Sequence, residues 1–236
     1  MHAKGQGLRG SVRRKLLTLA LLPLALVLPL ALAGLTVWGA SFTYEQLYIK
    51  VNTDLAVAHD LFERIQRDHL DQLARLSDSY RFRSALAAGD QAAVQQLIAQ
   101  VERDAAFSYL RLVPVTDLDD ADHASPGVGI ELFGARQLEA LDPALAASVR
   151  LPLIQTRRAS PTQRTMEDRA MLIRARHPVS NADGMVEGVL DGGVLLNNNF
   201  TFVDAIRDLV YGPGSLPAGS IGTVTVFLDD VRIATH

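Results

Sequence analysis

Five side chains in this sequence have types and spacing that could act together: Tyr109, Arg111, Arg174, Arg176 and Asp191. Over residues 107–115, Tyr109, Arg111 and Val113 alternate with Leu110 and Leu112, the period of a strand. Residues two or four apart on a strand share a face, so Tyr109 joins Arg111, Arg174 joins Arg176, and Glu187 joins Asp191. If the three faces coincide they line a cationic pocket. Arginine offers a carboxylate two parallel donors, which points to an organic acid before an amine as the ligand. The plainer reading is that the same residues form cross-strand ion pairs on a wet sheet face, worth about 0.2–1 kcal/mol each.

Other chemistries find little support. There is no cysteine, which excludes disulfides and thiolate metal sites. His123 lies near Asp117, Asp119, Asp120 and Asp122, and His177 precedes Pro178, but these acids lack the ligand spacing of a calcium loop. No metal and no cofactor is expected. No serine occupies a Gly-x-Ser-x-Gly elbow. None of the six histidines stands in a phosphoacceptor setting with a Gly-rich nucleotide site, so no catalytic domain is expected in this chain. A net charge of −3 gives no basic face for nucleic acid.

The elements that must position these residues begin with an uncharged run over residues 16–38, about 23 residues, long enough for a hydrocarbon core of about 30 Å. Lys4, Arg9, Arg13, Arg14 and Lys15 precede it and no acid appears before Glu45, which places the N-terminus in the cytoplasm and the rest outside. The competing reading is a signal peptide cut after Ala33, since Ala31-Leu32-Ala33 has the small-x-small pattern. From Tyr44 to about Leu86 neither Pro nor Gly occurs, and Leu47, Val51, Leu55, Ala58, Phe62, Ile65, Leu73, Leu76 and Tyr80 form one apolar stripe, interrupted by His69. This predicts a stalk helix whose lower stripe needs a partner, hence a homodimer through the helix. Gly89-Asp90 stops it and caps a second helix over residues 91–104. Beyond the strand at 107–115, residues 117–129 read as a loop, 131–141 as a helix and 151–156 as a strand. Residues 170–179 and 185–195 flank the turn Ser180-Asn181-Ala182-Asp183-Gly184 and form a hairpin. Asn197 to Asn199 cap a helix carrying Phe200, Val203, Ile206, Leu209 and Val210. A last hairpin turns at Asp229-Asp230 and opens a further sheet.

This order of parts resembles the extracytoplasmic double-Cache sensors of bacterial histidine kinases and chemoreceptors. The resemblance rests on the basic-flanked anchor, the long helix, the strand at 107–115, the hairpin ending in Glu187-Gly188-Val189-Leu190-Asp191-Gly192-Gly193-Val194-Leu195, and the segments at 199–212 and 222–235. It implies an α+β, PAS-like antiparallel sheet hung on the long helix, with a small-molecule pocket on the far face. The implied layout is a cytoplasmic tail (1–15), a transmembrane helix (16–40), a stalk helix (41–88), a membrane-distal sensor domain (89–212), and the start of a membrane-proximal module (213–236) that breaks off. Amino-acid-binding members hold an ammonium with an Asp at the end of the last strand. Here Gly193 stands at that place and Asp191 two residues earlier. The implied role is the input region of a two-component histidine kinase in the inner membrane. The alternatives are a chemoreceptor input or an anchored or secreted binding protein.

Overall fold

The computed structural model describes residues 12–118, 125–154, 156, 162–212, 215–216 and 219–235, with side chains between 12 and 50 described at 17, 19, 21–35 and 48–49. The acids and histidine at 119–123, most of the polar excursion at 157–161 and His236 lie outside the described residues. The chain divides into two units, residues 1–55 and 56–236.

In the first unit the backbone is helical from Val12, the start of α1 (Val12–Asp78), through Pro23 and Pro29. The large apolar side chains described between Leu17 and Leu35 are each at least half exposed. Among the described residues no helix is long and apolar enough to cross a membrane.

The second unit is built on a four-stranded antiparallel sheet in the order β1 (Tyr109–Pro114), β6 (Val186–Leu195), β5 (Ala170–Ser180), β2 (Gly127–Phe133). One face packs on helices. Leu73 and Leu76 of α1, Phe82 of α2 (Tyr80–Ala87), and Val94 and Ile98 of α3 (Gln91–Asp104) meet Leu110, Ile173, Ala175, Leu190 and Val194 of the sheet. Phe202, Val203 and Ile206 of α6 (Phe200–Val210) join the same core. So do Leu228, Ile233 and Ala234 of a hairpin formed by β7 (Thr225–Leu228) and β8 (Val231–Thr235). On the other face Tyr109, Phe133, Ala170, Leu172 and Leu195 pack with Leu138 of α4 (Ala135–Leu141) and with Leu145 and Ala146 of α5 (Pro143–Ser148). A two-stranded ladder, β3 (Leu151–Pro152) with β4 (Met166–Glu167), completes the unit.

Local chemistry sets the boundaries. Ser79 ends α1 and restarts the chain as α2, its hydroxyl accepting from the Phe82 amide at 3.2 Å. The helix therefore stops earlier than the expected 86, and Tyr80 is 83% exposed instead of joining the stripe. The lower stripe also finds partners inside the chain: Ala58, Leu61, Phe62 and Ile65 pack on the core, with Phe62 edge-on to Phe202 at 6.0 Å. His69 lies against Phe107 at 5.0 Å; burial holds its ring below the ordinary pKa of 6.5, against the smaller opposing effect of Asp68. The β5–β6 turn is closed by Asn181, whose side-chain oxygen accepts from the Asp183 and Met185 amides, and by Gly184 at φ +80°.

Two expectations need correction. The helix expected from Glu131 starts only at Ala135, because residues 127–133 form β2, an edge strand paired along its length with β5. The strand expected at 151–156 is confined to Leu151–Pro152.

Candidate functional site

Ladder register brings the five sequence-derived residues onto one face. Tyr109 is opposite Gly193, and Arg111 opposite Asp191; across β6, Arg174 is opposite Gly193 and Arg176 opposite Asp191. Asp191 is the centre and is 2% exposed. Arg174 donates to both of its oxygens, Nε to Oδ1 at 2.6 Å and Nη2 to Oδ2 at 3.0 Å. Arg111 donates through Nε and Nη2 to Oδ2 at 3.1 and 3.0 Å, and the Tyr109 hydroxyl to Oδ1 at 3.3 Å. A buried carboxylate needs this density of donors to stay charged.

The structure adds a residue that the sequence reading missed. Glu131 on β2 accepts from Arg174 Nη1 at 2.8 Å and stands 3.5 Å from Arg176 Nη2. The Arg174 guanidinium also lies over the Phe133 ring, 5.4 Å from its centre. Alternation of Val128, Ile130 and Leu132 with Gly127, Gly129, Glu131 and Phe133 is the signal that would have found it. Glu187 falls at the β6 bulge opposite Val179 and Ser180, is exposed, and lies outside the network.

The electrostatics follow from this packing. Burial works against the charge of Arg174, but Asp191 and Glu131 outweigh it and hold the guanidinium above its ordinary value. Burial, and secondarily Asp191, push the Tyr109 phenol well above its ordinary 10. Three guanidinium groups face two carboxylates, which leaves one positive charge over. Arg174 is committed within the protein, with its side chain 15% exposed, whereas Arg111 is 47% and Arg176 25% exposed. The ladder neighbours of Arg174 and Arg176 on β2 are Gly129 and Gly127, over which space is open. What the arrangement presents at its open side is guanidinium, which can pair a carboxylate through two parallel donors.

A second charged cluster was not anticipated. Glu167, fully buried, accepts from Arg164 at 2.7 Å and from Arg169 at 2.8 and 2.9 Å. Arg169 also reaches Asp229 of the β7–β8 turn at 2.9 Å. Burial alone would raise the Glu167 carboxyl, but the arginines outweigh it and bring it from 4.5 down to about 2. Among the described residues no group of acids and histidines is placed to hold a metal ion; His177 Nδ1 lies 2.9 Å from the Pro178 carbonyl instead.

Comparison with known proteins places this architecture. A family model described as "LuxQ, periplasmic" matches residues 51–210. A selenomethionine crystal structure of the Vibrio cholerae LuxQ periplasmic domain aligns at 16% identity and a TM-score of 0.50, covering 78% of this chain and 77% of that one. Another crystal structure of the same domain aligns with the same coverage at 17% identity and a TM-score of 0.49. At such identity the likeness is one of fold. No curated protein matches. The expected kinship thus holds at the level of a periplasmic sensor region of a histidine kinase. The family match covers well over half of the sequence, and the chain belongs to the LuxQ periplasmic family, a periplasmic sensor region of the histidine-kinase class.

Proposed function

We propose that this chain is the membrane-anchored input module of a sensor histidine kinase, and that the open half of its sheet face takes a small organic anion. The observation that supports the ligand reading is the uneven engagement of the three arginines. Arg174 is spent on Asp191 and Glu131, while Arg176 meets Glu131 only at 3.5 Å and Arg111 keeps an exposed flank. Arg111 and Arg176 are the direct contacts in this reading, with Arg174, Tyr109 and Asp191 holding them in place.

The anchor is residues 16–38, supported by the absence of charge in that run and by the basic residues before it. Exposed Tyr48, Ile49, Val51 and Leu55 support self-association of the helix within the first unit.

The test is a thermal-shift screen of the full chain in detergent against organic acids and amino acids, since a ligand that binds the native state raises the midpoint. Selective stabilisation by acids is expected. Arg176→Ala should weaken it about tenfold or more while leaving the unliganded midpoint nearly unchanged, because a charge-assisted hydrogen bond contributes about 1.5–3 kcal/mol; Arg111→Ala should weaken it similarly but also lower the unliganded midpoint, since it removes two donors from buried Asp191. Stabilisation by amines alone, or equal affinity in the variants, would leave the face as an ion-pair network only.

A further inference from the structure

We infer that the outer edge of β2 pairs antiparallel with β2 of a second copy of this chain, centred on Ile130. The two edges of the sheet differ. β1 carries Arg111 and ends in Pro114, both of which discourage strand addition. β2 contains no proline and no basic residue, and its one charge, Glu131, turns inward to Arg174. On the helix-packed face Ile130 and Leu132 are 50% and 52% exposed, although of their ladder neighbours Ile173 belongs to the core and Met171 packs against it. Among the described residues only β5 pairs with β2. Such an edge is a template for another strand.

The sequence of β2 is complementary to itself about Ile130. In a twofold antiparallel pair Ile130 meets Ile130, and Val128 meets Leu132 on the same face, which closes the apolar surface. On the other face Glu131 falls opposite Gly129 and Phe133 opposite Gly127, a large side chain against a missing one at each step. Space over both glycines is open. The ladder partner of Gly129 is Arg174, so the incoming Glu131 carboxylate arrives beside a guanidinium, on a face with one positive charge over. The other registers are poorer. A two-residue shift one way sets Glu131 against Glu131; the opposite shift puts Leu132 against Pro126; a one-residue slip exchanges the faces.

The chain has no cysteine, so single cysteines report the register directly. In the full chain in membranes, oxidised with copper phenanthroline, Ile130→Cys should form disulfide dimers, because directly opposed residues stand about 4.5–5.5 Å apart, inside disulfide reach. Leu132→Cys alone should give roughly tenfold less, since its copies lie about 14 Å apart. The double variant Val128→Cys/Leu132→Cys should restore the link, and does not depend on tolerance at Ile130. A Leu55→Asp background should leave all of these yields unchanged, separating the edge from the helix of the first unit. Equal cross-linking of Ile130→Cys and Leu132→Cys, or none in either Ile130→Cys or the double variant, overturns the pairing.

Discussion

Arg174 donates to two carboxylates, one of which is almost wholly removed from water, so its loss is a stability event before it is a binding event. Arg174→Met leaves Asp191 with Arg111 and Tyr109 as donors and removes the guanidinium that, among the described residues, reaches both of its oxygens. Stranding a buried carboxylate costs about 3 kcal/mol. Urea unfolding should show a loss of that order, and the double variant Arg174→Met/Asp191→Leu should recover most of it because the charge that needed a partner is gone. If the double variant is as unstable as the single one, Asp191 is not the residue at stake. Glu167 carries the complementary pH statement. Its folded pKa is depressed, so its contribution is present above about pH 4.5 and lost as pH falls toward 2. Glu167→Gln should therefore lie below the parent at pH 6 by up to about 3 kcal/mol, with the gap closing through that window. Urea midpoints at pH 6, 4 and 3 measure it, and a gap independent of pH would show that the carboxylate charge is not what the arginines hold.

Two adjacent glycines in β6 decide how closely the elements on either side of the sheet approach. A Cβ on Gly193 would run into the Tyr109 ring, and one on Gly192 would sit 2.9 Å from a Leu110 methyl and 3.1 Å from Phe107 on the opposite face. Gly193→Ala should cost about 1–3 kcal/mol by overpacking, and Tyr109→Ala in the same chain should make the added methyl nearly free. A double-mutant cycle on unfolding midpoints checks this; no coupling would mean that the ring moves aside at little cost. The hairpin of β5 and β6 was legible because turn chemistry and apolar runs agree there, and α3 and α6 because Asp90 and Asn199 cap them. Strand alternation also placed Tyr109, Arg111, Arg174, Arg176 and Asp191, but not their mutual distances, which depend on ladder register. The alternation of β2 was overshadowed: Pro126, Gly127 and Gly129 carry the marks of a loop, and the helix that follows at Ala135 blurs its end. Glu131 was lost with it. The pairing of Phe62 with Phe202 was hidden for another reason, since a helical stripe says which side is apolar but not what covers it. The ladder of β3 and β4 is too short to have a period, so Glu167 gave no signal.

At the scale of the whole molecule, a periplasmic sensor region has to be exported, and the first unit bears on how. Its described leucines, from Leu17 to Leu35, are all at least half exposed, an apolar surface that water does not favour. The run over residues 16–38 has no charge, five basic residues precede it, and Glu45 is the first acid. Retained, the run is an anchor with its N-terminus in the cytoplasm. Cut after Ala33, it is a leader and the sensor is released. The apolar character continues beyond Ala33 through Leu35, Val37 and Trp38, which favours retention because a leader of about 7–15 apolar residues has no use for the extra length. The full chain carrying an N-terminal epitope and alkaline phosphatase fused after Gly89 should therefore be active in intact cells and stay in the membrane fraction through a carbonate wash. It should also keep the epitope on the same polypeptide as the enzyme. An active fusion that has lost the epitope and washes into the soluble fraction would establish cleavage, and an inactive fusion would reverse the topology.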